Sequence, residues 1–342
     1  MEPNITIEDV AKLAGVSRAT AGRVVGGYGN VSAKSREKVM KAVQELDYRP
    51  NLVAQGLRGQ STKTIAVILG SIKNNYCNKL IYAVEKEAQK YGYNVIVCNT
   101  HEDIAQEVGH LQNMYGRHVD GVILMSACKS GDELKEQHRD LYQGKTPIVF
   151  VDRRIKGLDS RVIQSNNAEA SYQAAKYLLE LGHRNIAVLA TDEYSTVNER
   201  IKGYKRALSE YGIEFRPQNL AYAPHNDKEK IRQVTATILD AEERATALYV
   251  LNNSLCIGVL MELKERHMSV PEDLSLLVWD DEELNELLEI TTVVQPIEEI
   301  GKVAVQDLMR QKENIADPEG EKREVLDASI VFRQSCKAYE KC

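Results

Sequence analysis

The sequence predicts a two-part molecule, with a small all-α helix-turn-helix headpiece followed by a larger α/β body of two parallel-sheet halves. Three observations predict it. A chain of 342 residues is long enough for two or three compact domains. Charge is unevenly divided: residues 1–63 hold ten Lys+Arg against six Asp+Glu and the rest hold 34 against 44, so a +4 module precedes a −10 body within a net charge of −6. The hydrophobic period also changes near residue 63, from short capped helical runs to apolar strand-length runs alternating with amphipathic ones.

Hydrophobic residues at 43% and charged residues at 27% are ordinary globular values, which excludes wholesale disorder, a collagen-like repeat and a disulfide miniprotein. The stretch Met1 to Val10 carries acids and no apolar run, so it does not read as a secretory signal. No segment reaches the roughly 18 uninterrupted apolar residues of a membrane helix. The six cysteines include no Cys-x-x-Cys and pair with no histidine at zinc spacing. Reduced thiols in a cytoplasm are therefore expected, with no metal and no cofactor.

The headpiece is expected over residues 1–49. Thr6 precedes Ile7, Val10, Ala11 and Ala14 at helical spacing, and Asp9 stands where a capping box needs an acid, so a first helix runs from Ile7 to Ala14. Gly15 supplies the backbone freedom to end it, and Ser17 caps a second helix, Arg18 to Val25, with Ala21, Val24 and Val25 inward. After the glycine-rich loop Gly26 to Asn30, Ser32 caps a third helix from Ala33 to about Leu46, with Val39, Val43 and Leu46 on one side. Helix, three-residue turn, helix is the spacing of a helix-turn-helix. That motif needs small residues where the helices cross, here Ala11, Ala14 and Ala21, and an exposed polar face on the helix that enters the major groove. Arg18, Thr20 and Arg23 supply groove chemistry, and Ala19 suits a thymine methyl. The competing reading is a plain three-helix core with a solvated basic face.

Residues 50–63 read as a hinge and linker. Pro50 resets the chain, and Asn51-Leu-Val-Ala-Gln-Gly-Leu-Arg58 is a helix too short to be stable alone, which suits a segment ordered by DNA. Leu57 would be the wedge at a minor-groove step. A plain linker with one surface leucine is the alternative.

Thr6-Ile-Glu-Asp-Val-Ala-Lys-Leu-Ala-Gly-Val-Ser17, Val31-Ser-Ala-Lys-Ser-Arg-Glu-Lys-Val39, Leu46-Asp-Tyr-Arg-Pro-Asn51 and Ala54-Gln-Gly-Leu57 resemble, in order, the headpiece and hinge of the LacI/GalR family of bacterial transcription regulators. The resemblance implies DNA contact by Thr6, Ser17, Arg18, Ala19, Thr20, Arg23, Asn30 and Ser32 in the headpiece. In the hinge it implies the same for Asn51, Ala54, Gln55, Leu57 and Arg58. One departure is Thr20-Ala-Gly-Arg-Val-Val-Gly26, where the family commonly shows Thr-Val-Ser-Arg-Val-Leu-Asn. Gly22 lowers helix propensity by roughly 1 kcal/mol relative to Ala and replaces a serine expected near phosphate, so a different operator is expected.

In the body, Ile65–Leu69, Val95–Val97, Val119–Met125 and Ile148–Val151 form a first set of strands, and Ile186–Leu189, Leu248–Leu251 and Leu274–Val278 a second. Leu80/Val84/Ala88, Ala174/Tyr177/Leu178/Leu181 and Leu255/Val259/Leu263 are helical stripes that belong to the core. Two similar α/β halves imply a cleft with ligand groups at the carboxyl ends of strands. Asn99-Thr-His-Glu-Asp103, Val119-Asp-Gly-Val-Ile-Leu124, Leu181-Gly-His-Arg-Asn-Ile186, Arg200-Ile-Lys-Gly-Tyr204, Val270-Pro-Glu-Asp-Leu-Ser275, Asp280-Asp281 and Thr291-Thr-Val-Val-Gln-Pro296 extend the resemblance to about Gln334. It implies a periplasmic-binding-protein-like effector domain over 64–334 that dimerises. Subdomains of 64–163 with 296–323, and 164–294 with 324–334, would be followed by a tail at 335–342 carrying no leucine heptad.

Effector contacts implied by the resemblance are Ser71, Tyr76 and Ser126 on one side, Asp152 and Arg153 at the edge, and Thr196, Arg200, Asn252 and Asp280 on the other, with His225 at a further contact position. Carboxylates can accept from vicinal hydroxyls, Arg200 can donate to ring or carboxylate oxygens, and Tyr76 or Trp279 can lie against a C–H face. Helix caps and salt bridges are the structural alternative for Asp and Arg at strand ends. Asn166-Asn167 and Asn252-Asn253 stand where the family often has one aspartate each. The cleft beside Arg153, Arg200 and His225 is thus expected to be less negative, which points to a sugar acid or sugar phosphate over a neutral sugar.

No Gly-x-Ser-x-Gly elbow or P-loop is present, so no catalytic constellation supports an enzyme. A solute-binding protein without a DNA role is the rival, opposed by the basic headpiece. The expectation is a sequence-specific DNA-binding regulator, a homodimeric repressor acting on double-stranded operator DNA under a small effector, a sugar or sugar acid, with no membrane partner.

Overall fold

The computed structural model describes residues 5–26, 29–48, 61–132, 134–158, 160–191, 194–313, 315 and 323–340. Two compact units result, Met1–Lys63 with Met114–Asp120, and Thr64–Asn113 with Gly121–Cys342.

The first unit holds helices Ile7–Ala14, Arg18–Val25 and Ala33–Glu45. Each starts at the expected cap. The Asp9 carboxylate accepts from the Thr6 N–H at 2.9 Å and the Thr6 hydroxyl at 2.7 Å, and Ser17 and Ser32 accept from Thr20 N and Ser35 N. Gly15 ends the first helix at φ 64°, where a side chain would be strained, and lets Val16 N reach Ala11 O at 3.1 Å. Val10, Ala11, Ala14, Ala21, Val24, Val39 and Ala42 form the core. The three alanines lie buried where the helices cross, which is what brings short helices close enough to share so small a core. Past the hinge, Asp120 binds the chain through the Ser61 hydroxyl, Thr62 N and Lys63 N, the last two at 3.1 Å. The hinge residues Asn51, Ala54, Gln55, Leu57 and Arg58 lie outside the described residues.

The second unit contains two sheets of six strands. The first uses β1 (Thr64–Leu69), β2 (Asn94–Asn99), β3 (Gly121–Leu124), β4 (Ile148–Val151), β5 (Val162–Ser165) and β11 (Arg323–Leu326), in the order β11-β5-β4-β3-β1-β2. The second uses β6 (Ile186–Ala190), β7 (Leu220–Tyr222), β8 (Ala247–Val250), β9 (Ser275–Trp279), β10 (Thr291–Val294) and β12 (Ser329–Val331), in the order β12-β10-β9-β8-β6-β7. These are the same order twice, parallel throughout except that β12 runs antiparallel to β10. Helices cover both faces, so β1, β3, β4, β6, β8 and β9 are almost wholly buried.

Each half also has a helix pair closed by a glycine. Helix Ile297–Lys312 meets helix Asn75–Lys90 at Gly301, where a Cβ would lie 2.6 Å from Ala83 Cβ. Helix Ser195–Glu210 meets helix Asn167–Glu180 at Gly203, where a Cβ would lie 2.1 Å from Ala168 O.

Two boundaries differ from the sequence expectation. β5 extends the first sheet to Ser165 and β11 returns to it through Leu326, so the chain crosses between halves at Asn166, Gln295–Pro296 and Asp327–Ala328, and not at 163/164 and 323/324. The first and last crossings are stitched together, with Asn166 Nδ2 donating to Asp327 at 2.8 Å and Ala328 N donating to Asn166 Oδ1 at 2.9 Å. Within the expected tail, residues 335–340 are tied to the body. Ser335 is buried, donates to Leu276 O and accepts from Thr291 N, and Tyr339 N donates to Leu181 O at 2.7 Å.

Candidate functional site

In the headpiece, Thr6, Ser17, Arg18, Ala19, Arg23, Asn30 and Ser32 are exposed and Thr20 is half-buried. Sequence-predicted contact residues are therefore accessible, while Ala21 and Val24 turn the other side of their helix into the core. The hydroxyls of Thr6, Ser17 and Ser32 sit at three helix N-termini, where backbone N–H groups and the helix dipole favour phosphate. Arg18 pairs with Glu8 at 2.9 Å, but both are more than half exposed, so the pair yields readily to a stronger anion.

In the body, the predicted effector residues follow strand ends. Ser71 follows β1, Ser126 follows β3, Asp152 and Arg153 follow β4, and Tyr76 opens the helix after β1. In the second half, Thr196 and Arg200 lie on the helix after β6, His225 follows β7, Asn252 follows β8 and Asp280 follows β9. Asp152 and Asp280 both take left-handed backbone, φ 63° and 69°, and each N–H donates at 2.8 Å to the neighbouring strand, at Ile163 O and Val293 O respectively. Strained backbone of this kind at two matching positions aims two carboxylates at one place.

That place holds Arg200, buried at 3% exposure. Its Nε donates to Asn167 Oδ1 at 2.8 Å, one Nη donates to Leu251 O at 2.7 Å, and its guanidinium lies 3.9 Å from the Trp279 ring. Burial lowers its pKa, against the pull of Asp280 and Asp152. Burial also pushes the Asp280 carboxyl up to about 6 despite Arg200 and a 2.6 Å bond from Gln295, and raises Asp152. Burial and the neighbouring Asp152 and Asp280 hold the Tyr76 phenol well above its ordinary value. The buried Tyr76 hydroxyl donates to the buried Asp152 carboxylate, against the upward push of burial on that acid. A phenol, two carboxylates and a guanidinium buried side by side equip this constellation for a molecule rich in hydroxyls.

Three expectations are corrected here. Trp279 is fully buried behind Arg200 and cannot offer a ring face. Ser126 turns its hydroxyl to Glu107 at 3.0 Å, leaving its carbonyl to accept from Arg153 at 3.2 Å. The less negative cleft is not found, because Glu102 enters it. Glu102 accepts from Arg153 Nη1 at 2.5 Å and Nη2 at 3.2 Å, and from the Tyr194 hydroxyl at 3.0 Å. Burial alone would raise this carboxyl, but Arg153 holds it below its ordinary value.

Asn252 follows the structural alternative in part, since its Oδ1 accepts from Ser254 N at 3.0 Å as a cap. Ser71 is half-buried in a turn, its hydroxyl accepting from Lys73 N at 3.3 Å. Thr196 is buried one turn before Arg200, and His225 is half-buried. Glu102, Asn167, Tyr194 and Gln295 escaped the sequence-predicted set. An acid directly beyond a strand end was the available signal for Glu102.

Comparison with known proteins gives a consistent picture. Residues 6–51 match the family described as bacterial regulatory proteins, lacI family, and residues 175–336 match the periplasmic binding protein-like domain. Catabolite control protein A of Priestia megaterium is 33% identical, over 98% of this chain and 100% of that protein. The ribose operon repressor of Haemophilus influenzae is 33% identical, over 96% and 98%. Among solved structures, the lac repressor dimer bound to operator and the anti-inducer ONPF superposes with a TM-score of 0.84 at 26% identity, over 98% of this chain and 100% of that one. A complex of the transcriptional regulator CelR with cellobiose gives 0.71 at 26%, over 97% and 99%.

Proposed function

The chain belongs to the lacI family of bacterial regulatory proteins and is a DNA-binding transcriptional regulator under effector control; from that premise we propose a homodimeric repressor whose effector is a neutral, polyhydroxylated small molecule of the sugar class. The observation that carries the effector reading is the buried set Tyr76, Asp152, Arg200 and Asp280, which gathers a phenol, two carboxylates and a guanidinium at strand ends. Two carboxylates accept from hydroxyls, Arg200 donates from its second Nη, and Tyr76 supplies both a ring and a hydroxyl. An acidic ligand is disfavoured, because Glu102 already occupies the Arg153 fork. Solved structures of similar regulators with cellobiose and with bound ribose support a sugar.

On DNA, Arg18 and Arg23 would read the major groove from the second helix, with Thr6, Ser17, Asn30 and Ser32 holding phosphates at helix N-termini. Asn51, Ala54, Gln55, Leu57 and Arg58 keep their proposed hinge role in the minor groove. Dimerisation has support in large apolar side chains left exposed on the body, Ile72, Tyr82 and Val97 in the first half and Ile257, Met261 and Leu287 in the second. The regulator would act in the cytoplasm, and no catalytic step is assigned to it.

Calorimetry with ribose, glucose and cellobiose tests the effector, with Arg200→Met expected to abolish the heat. A gel shift on the DNA flanking its own gene, with and without the bound sugar, tests the coupling between sites. Arg23→Ala should weaken the shift at every salt concentration and reduce its salt dependence. A shift insensitive to salt and sugar would overturn the reading.

A further inference from the structure

We propose that Glu102 is a specificity-determining residue of the cleft, a built-in carboxylate that occupies Arg153 and so admits neutral hydroxylated ligands while rejecting their acidic counterparts. The inference rests on reading the cleft as the effector site. Its placement is constrained by backbone, since His101 and Glu102 take left-handed φ of 53° and 61° in succession, a conformation L residues adopt reluctantly. Glu102 N donates to Gly70 O at 3.2 Å, and the side chain lies over Gly70 so closely that a Cβ there would sit 2.0 Å from Glu102 Oε1. Only glycine at 70 leaves room for this carboxylate.

The carboxylate then takes both Nη groups of Arg153 and the Tyr194 hydroxyl, and the Arg153 guanidinium stacks on the Tyr194 ring at 3.6 Å. Glu102 and Arg153 side chains are only 13% and 11% exposed. A bidentate guanidinium is the natural partner of a ligand carboxylate or phosphate. Here that partner is already taken. An entering anion would have to displace Glu102 or lie beside Glu102, Asp152 and Asp280, with Arg153 and Arg200 already paired or facing them. A neutral polyol meets neither obstacle.

The test compares the full-length protein with Glu102→Gln, which keeps the size of the side chain. Binding is measured by calorimetry for matched pairs: glucose with glucuronate, ribose with ribose 5-phosphate, cellobiose with cellobionate. Wild type should prefer the neutral member, and E102Q should shift the acid-to-neutral affinity ratio by about tenfold or more towards the acid. Adding Arg153→Gln to E102Q should remove that gain. A second readout needs no sugar: inorganic phosphate should raise the melting temperature of E102Q more than that of wild type, because the fork is released. If no neutral sugar binds wild type, the sugar reading falls while the phosphate response still judges Glu102. An unchanged ratio together with equal phosphate shifts in the two proteins would overturn the role given to Glu102.

Discussion

The two halves of the body share a strand order, a glycine at the helix crossing, and an aspartate in left-handed backbone after the fourth strand, yet they handle charge differently. In the second half Arg200 is fixed by partners of its own half, Asn167, Leu251 and Trp279, while Asp280 is bonded by Gln295 from the crossing segment. In the first half Arg153 is fixed by Glu102, and that pair reaches Tyr194 of the other half. Repetition of a backbone therefore sets where charges stand without setting what neutralises them. The second half is a rigid presenter of one cation, and the first half uses its cation to hold the two together. Arg154, which donates to Glu199 with its side chain and to Ser195 Oγ with its N–H, adds to the same junction.

The comparison breaks most sharply at the two arginines. Arg200→Met strands Asp152 and Asp280 in a buried site and should lower the stability of the body by about 3–5 kcal/mol. Arg153→Met strands Glu102 but leaves Asp152 its stronger partner Arg200, and should cost less. Urea unfolding of both variants measures this, and an equal or reversed ranking would refute the distinction between presenter and clasp.

A second contrast is in pH. Asp280 carries a pKa raised from 3.8 to about 6, so the folded body holds this proton more tightly than the unfolded chain. The stability this contributes is fully present below about pH 4 and lost as pH rises through about 6, on the order of 2–3 kcal/mol in all. Asp280→Asn should flatten that part of the stability profile, measured by denaturation across pH 4 to 7. A slope that persists in D280N would assign it to Asp152 or elsewhere.

The glycine crossings sharpen the comparison further. Gly203→Ala drives a methyl against Ala168 O and Tyr172 N, backbone that cannot turn aside, whereas Gly301→Ala meets Ala83 Cβ first. The former should destabilise by about 1–3 kcal/mol and the latter by less. Smallest is the headpiece cap. Ser17→Ala loses the bond to Thr20 N and should cost about 1 kcal/mol of local stability, visible as faster amide exchange in helix Arg18–Val25 with the body unchanged.

Much of this was legible in the sequence because it is local. Caps at Thr6, Ser17 and Ser32 with helical stripes fixed the three headpiece helices to within a residue, and long apolar runs marked seven strands. β5, β7, β10, β11 and β12, of three or four residues each, were not read, since they lack the unbroken apolar run that marks the equally short β3, β4 and β8 and owe their extended form to a neighbouring strand. The same limit governs the cleft. Arg200 and Asp280 stood out from their motif, while Glu102 reaches Arg153 only through two successive left-handed residues and a vacant Cβ at Gly70.

The strands Arg323–Leu326 and Ser329–Val331 are separated by two residues and complete different sheets. During synthesis both edges, β5 and β10, wait exposed until this one short stretch leaves the ribosome, and then both are covered almost together. The halves are thus built in sequence but finished simultaneously. A nascent chain stalled before residue 323 would present two open edges, each ready to pair with another chain.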